Sequence, residues 1–191
     1  MYYGKLHPTT SNKYSEYDRV KVEDGDTAFH EGREFRTFKE LNIAVGTTYV
    51  IQAVVAVDTI LTLVENFIDA GTLRFRTWAG GTPGGSFTPI TSIFYTNNLT
   101  PGPNRRNNFP GVYIRQNTLL DGGTYTPGLQ LDGARIKTSS NSQQAATVGG
   151  GTAGKRGIAL GTYHFTFENL GNDIITGTFK LEFEELPAGY G

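Results

Sequence analysis

Tyr163-His164-Phe165-Thr166-Phe167-Glu168 and Phe179-Lys180-Leu181-Glu182-Phe183-Glu184 decide the fold. In both stretches large apolar side chains alternate with polar ones, the two-residue period of a strand with one face on a core. Asn169–Asp173 between them reads as a hairpin loop. The alternation places His164 on a polar, solvent-facing side, and Glu182, Glu184 and Glu185 on the exposed face and end of the last strand.

Working outward, Leu73-Arg74-Phe75-Arg76-Thr77-Trp78 alternates in the same way. Leu73, Phe75 and Thr77 share one face, and Arg74, Arg76 and Trp78 share the other. Thr48–Val57 (TYVIQAVVAV) is an almost unbroken β-branched and apolar run, as expected of a strand covered on both faces or lying at a subunit contact. A strand starts at Glu34 and runs toward Ile43. Asp58-Thr59 breaks the chain before Ile60–Phe67. Shorter strands are expected near Pro89–Tyr95, Val112–Leu120 and Ala134–Lys137, with a turn at Asp121-Gly122-Gly123. Three long loops are expected at 79–87, 96–111 and 138–157. About eight strands at irregular spacing point to an all-β fold: a single jelly-roll-like β-sandwich.

Composition agrees. Gly and Thr contribute 25 residues each to a chain of 191, and strong helix formers never build a 3.6-residue stripe. Cysteine is absent, which excludes a disulfide scaffold, a cysteine zinc site and a thiol nucleophile. A net charge of −1 argues against general nucleic-acid binding. The longest apolar run, Ala53–Val57, is too short to cross a bilayer, and the opening residues lack the apolar stretch of a secretory signal. A protein made in the cytoplasm, with no membrane partner, is expected.

The charge is uneven. Residues 1–40 carry seven Lys/Arg and eight Asp/Glu of the 35 charged side chains, together with Tyr2, Tyr3, Tyr14 and Tyr17. Such a segment cannot bury much apolar surface alone, and its tyrosines are suited to anchoring it on a partner. The expected organisation is an extended N-terminal docking arm, residues 1–33, followed by the sandwich, residues 34–191.

Motifs for chemistry are sparse. His7, His30 and His164 share no metal-ligand spacing. Gly84-Gly85-Ser86-Phe87-Thr88 lacks the last glycine of a nucleophile elbow. Gly149–Lys155 (GGGTAGK) approaches a phosphate loop, but Arg156 replaces its Ser/Thr and Gly157 stands where a helix should begin. Glu23-Asp24-Gly25-Asp26 lacks the EF-hand register and suits a solvated turn. Trp78 suits packing better than a sugar platform. No catalytic residue, cofactor or metal ligand is assigned. The candidate partner-binding side chains are Tyr2, Tyr3, Tyr14, Tyr17, Arg33 and Phe35 in and beside the arm, with Arg105, Arg106, Lys155 and Arg156 on the long loops.

The block from Tyr3-Gly4-Lys5-Leu6-His7-Pro8-Thr9-Thr10 through Phe29-His30-Glu31-Gly32-Arg33-Glu34-Phe35-Arg36 resembles the opening of small virion structural proteins of tailed bacteriophages. Gly161-Thr162-Tyr163-His164-Phe165 and Phe183-Glu184-Glu185-Leu186-Pro187 resemble the same group. The resemblance implies a role in the particle and carries over no active-site residues. The expectation is a non-enzymatic capsid decoration or cement protein, a homo-oligomer such as a trimer, which binds the major capsid protein or other virion proteins through its arm. The alternatives are a tail adaptor or fibre-anchoring protein, and a carbohydrate-binding host-recognition module.

Overall fold

The computed structural model describes residues 27–95, 113–138, 144–147 and 156–188. Among these residues a single helical turn, α1 (Thr27–Glu31), precedes twelve strands: β1 (Glu34–Ile43), β2 (Thr48–Val55), β3 (Thr59–Ala70), β4 (Thr72–Ala79), β5 (Thr82–Pro89), β6 (Ile93–Tyr95), β7 (Thr118–Thr126), β8 (Leu129–Lys137), β9 (Gln144–Thr147), β10 (Arg156–Ile158), β11 (Gly161–Asn169) and β12 (Ile175–Glu185). No helix among the described residues is long and apolar enough to cross a membrane.

The strands form two antiparallel sheets. The first runs β10-β3-β12-β1-β6, with β9 also paired to β3; the second runs β5-β7-β2-β11-β4-β8. With β5, β6 and β7 set aside, β1, β3 and β12 lie in the first sheet and β2, β4 and β11 in the second. On that count the chain crosses between sheets at each step from β1 to β4, stays in the second sheet from β4 to β8, and crosses again from β10 to β11 and from β11 to β12. The resulting orders, β10-β3-β12-β1 and β2-β11-β4-β8, are the jelly-roll arrangement. β5, β6 and β7 are an insertion between the fourth and fifth strands of the roll.

The crossing also corrects the expected hairpin at Asn169–Asp173. β11 pairs with β2 and β4, and β12 pairs with β1 and β3, so the loop is an arch between sheets. Both strands alternate because each has one face on the same core. Phe165 and Phe167 from β11 meet Phe179 from β12 at ring-centroid distances of 5.5 and 5.0 Å. Phe75 from β4 joins them at 5.3 Å from Phe167 and 6.2 Å from Phe179. Asn169 holds the arch: its side-chain amide donates to the Ile43 and Asp173 carbonyls at 2.9 and 2.8 Å.

Two expected connections prove to be strands. Most of the glycine-rich 79–87 stretch lies in β5, and Asp121-Gly122-Gly123 lies inside β7 instead of turning. Gly122 and Gly123 have φ of 84° and 66°, a left-handed pair that makes a bulge opposite Gly84–Phe87. A side chain at Gly123 would collide with the Phe87 ring. The bulge lets the β5–β7 ribbon lean back over the outer face of the second sheet. Tyr125 and Phe87 of that ribbon reach His164 on β11 at ring distances of 5.0 and 6.5 Å. The expected double coverage of β2 is met: Val50, Ile51, Gln52 and Ala53 are consecutive and all buried.

Phe179 lies at the centre of the aromatic cluster, so Phe179→Ala should leave a cavity and destabilise the body by about 3–5 kcal/mol. Urea unfolding should show this as a lower midpoint at an unchanged slope.

Candidate functional site

The base of the N-terminal segment is built into the body. α1 ends at Gly32, whose φ of 71° reverses the chain as a left-handed helix cap. The Arg33 amide then donates to the Ala28 carbonyl at 2.8 Å. This turn aims the Arg33 side chain inward. Its Nε donates to Glu31 Oε2 at 2.7 Å, and its Nη1 donates to the Glu185 carbonyl at 2.7 Å and to Glu184 Oε1 at 3.3 Å. The Glu185 amide returns a bond to the Arg33 carbonyl at 2.9 Å.

Glu185 is fully buried, and its carboxylate is the hub of the site. It accepts from the Tyr113 hydroxyl at 2.6 Å, the Asn117 amide at 2.7 Å and the Gln116 amide at 2.9 Å. Asn117 extends the network: its Oδ1 accepts from the Ala56 amide at 2.9 Å and its Nδ2 donates to Thr59 Oγ1 at 2.6 Å. One buried carboxylate therefore joins three elements: the end of the last strand, the 113–117 segment that leads into β7, and the β2–β3 connection. Arg33 fastens the α1–β1 connection to the backbone of the same residue. Burial, and then the Glu185 carboxylate, hold the Tyr113 phenol above its usual range.

Two further polar links tie the layers. Lys39, from β1 in the first sheet, pairs with Asp121 of β7 in the second, and the Tyr49 hydroxyl donates to the same carboxylate at 3.0 Å. His164 is fully buried, which corrects the solvent-facing expectation. Its Nδ1 faces the Gly80 carbonyl at 3.0 Å and its Nε2 faces Gln52 Nε2 at 3.1 Å. A carbonyl can only accept, so Nδ1 carries the proton and Nε2 accepts from the Gln52 amide. Burial lowers the His164 pKa below its ordinary 6.5, and the Gly80 hydrogen bond opposes that shift in part.

The candidates named from the sequence separate into three groups. Tyr2, Tyr3, Tyr14, Tyr17, Arg105, Arg106 and Lys155 lie outside the described residues. Arg33 and Phe35 are both buried within the chain, Arg33 in the network above and Phe35 in the core, 5.4 Å from Phe183 and 6.3 Å from Tyr113. Among the described residues burial begins at Ala28, ahead of β1. Arg156 alone stands at the surface, in an ion pair with Asp132. Trp78 is half-buried, with its indole N–H donating to Thr166 Oγ1 at 3.0 Å and the Arg76 guanidinium 5.8 Å from its ring. Among the described residues no group of three His, Asp or Glu gathers in a metal-binding arrangement.

Glu185, expected at the exposed end of the last strand, is buried instead, and the sequence holds a signal for it. Phe179, Leu181 and Phe183 face inward, so the next inward position is 185, where a carboxylate must find partners. Tyr113, Gln116 and Asn117 carried no such mark, because they come from a segment about 70 residues away with no periodicity.

No family model matches the chain, and none of the curated proteins or solved structures matches it.

Arg33→Ala leaves Glu31 without its buried cation and should cost about 3–5 kcal/mol. Tyr113→Phe, which removes one of several donors to Glu185, should cost about 1–3 kcal/mol. Chemical denaturation of the two variants side by side checks the order. His164 yields a pH prediction. Its folded pKa is depressed, so its contribution is complete above about pH 6.5 and is lost as pH falls from there through the folded pKa, because the unfolded chain takes up the proton first. His164→Gln should flatten the fall in unfolding free energy between about pH 7 and 5.

Proposed function

We propose that the chain is a non-enzymatic structural component of a tailed-phage virion: a capsid decoration or cement protein that binds the shell through its N-terminal segment and stabilises or covers it. The observation that carries this reading is the Arg33–Glu185 anchor. Two hydrogen bonds between Arg33 and the Glu185 backbone, one of them from the buried guanidinium, lock the α1–β1 connection to the end of β12, which gives the N-terminal segment a fixed root. A segment that binds a neighbour transmits load only if its root is rigid, and a root frayed into solvent would not do so.

The jelly roll and the sequence resemblance support the same reading. Jelly rolls occur in viral capsid domains, among other settings. The buried titratable groups described above, Arg33, Glu185 and His164, are occupied in joining sheets, loops and the arm. The partners are the major capsid protein or other virion proteins together with further copies of this chain, a trimer being the symmetric assembly proposed. The location is the virion, after synthesis in the host cytoplasm.

Deletion should stop at residue 26, since Glu31 and Arg33 belong to the body. The truncated protein should keep its unfolding midpoint and fail to join particles that lack the native protein, as read by sedimentation and gel densitometry. Incorporation of the truncated protein at normal occupancy would overturn the arm mechanism. A copy number matching a tail ring instead of the shell lattice would move the protein to the tail.

A further inference from the structure

The two sheets part at one edge. There β10, outermost on β3, faces β8, outermost on β4. Leu61 and Val64 of β3, Ile158 of β10, Leu131 of β8, and Tyr163 and Phe165 of β11 wall a cavity of about 210 Å³ between them. A small second void of about 20 Å³ also borders Leu61, Ile158 and Phe165, together with Leu181 and Phe183 of the core. A close-packed interior fills such space, and apolar cavities smaller than this one admit benzene-sized guests.

The charged groups that line the cavity are Arg156 and Asp132, both partly exposed. Arg156 pairs with Asp132 across the gap between the two edge strands. Register explains their position. Arg156 lies opposite Leu61 on β3, and Asp132 lies opposite Thr77 on β4, both on the inward side of their sheets. Asp132 is already used on its other oxygen, which accepts from the Gly133 amide at 2.7 Å. Among the described residues Arg156 bonds to Asp132 through Nη1. The guanidinium has five N–H donors in a planar fork that matches a carboxylate, and its side chain is 52% exposed.

We propose that this edge of the sandwich is a binding site for an alkyl monocarboxylate, with the chain between the sheets and the carboxylate on Arg156. The apolar walls select the tail. Arg156 selects an anionic head, and a carboxylate takes two parallel N–H bonds from it. Asp132 limits the head to a single negative charge, because a dianion at the mouth would face the Asp132 carboxylate at close range. The volume suits a tail of about six to eight carbons, by scaling from the benzene-sized cavity. Binding exchanges one carboxylate partner of Arg156 for another, so the mouth opens with no net change in the charges paired. The site does not involve the N-terminal segment, so it stands or falls apart from the virion reading.

Isothermal titration calorimetry of the full chain with sodium octanoate, 1-octanol and sodium butanoate tests it. Octanoate should bind one per chain and raise the thermal midpoint, and butanoate should bind more weakly for want of tail burial. Arg156→Gln should weaken octanoate at least about tenfold while leaving octanol within about twofold, a loss typical of a charged hydrogen bond. Asp132→Asn should strengthen octanoate by freeing Arg156. Leu131→Trp, at a half-exposed rim position where folding is not at stake, should block octanoate and octanol alike. Absence of octanoate binding up to millimolar concentration overturns the proposal. So does equal octanoate affinity in the Arg156→Gln variant, or octanoate affinity unchanged in Leu131→Trp.

Discussion

A carboxylate buried at the end of the last strand requires donors, and the satisfaction of Glu185 organises one end of the molecule. Transfer of an ionised carboxyl into an apolar interior is costly unless hydrogen bonds replace water. Here the Tyr113 hydroxyl and the Gln116 and Asn117 amides replace it on one side, while Arg33 binds the backbone of the same residue on the other. Each donor comes from a segment with no regular structure of its own. The carboxylate therefore fixes residues 113–117 on their way into β7, and through Asn117 it fixes the connection from β2 to β3. Removal of the hub would free three connections at once, because none has a ladder to hold it.

The opposite layer shows the same logic at lower charge. The second sheet would expose the outer side of β2 and β11 to water if the β5–β7 ribbon did not lean over it. Two left-handed glycines permit the lean, and His164 fills the space beneath with both ring nitrogens bonded. The ribbon is thus a cover as well as an insertion. It accounts for a β2 run apolar enough to be buried on both sides in a sheet that has only one partner layer. Lys39, Asp121 and Tyr49 then tie the ribbon's root to the first sheet.

These ties bear on the proposed role. A decoration protein has to stay folded while an attached segment is held by a neighbour, and strain arriving at Arg33 passes directly into β12, the strand between β1 and β3 in the first sheet. The edge where β8 meets β10 is different. Among the described residues a surface ion pair closes it over an incompletely filled gap. Exposed pairs of this kind contribute little to stability, so that edge is the place where the roll opens at least cost.

Alternation of large apolar residues was enough to establish an all-β sandwich and to name its core. Phe75, Phe165, Phe167, Phe179, Leu181 and Phe183 read inward from spacing alone, since a strand's side-chain period is set by its own backbone. The same reasoning reached Glu185 only in principle, and it misplaced His164 because the outer face of a strand is polar whether water or a covering ribbon lies beyond it. Which strands pair was not legible either. Phe165 and Phe179 sit on neighbouring strands in sequence and on opposite sheets in space, and a loop of turn-forming residues serves a hairpin or an arch equally well. Arg33 and Phe35 look like a charged and an aromatic side chain at the root of a tail. Only the folded chain, by bringing residues 113–117 and 184–185 to the same point, makes them interior. Local periodicity is a property of consecutive residues, whereas the satisfaction of a buried charge depends on groups that sequence order keeps far apart.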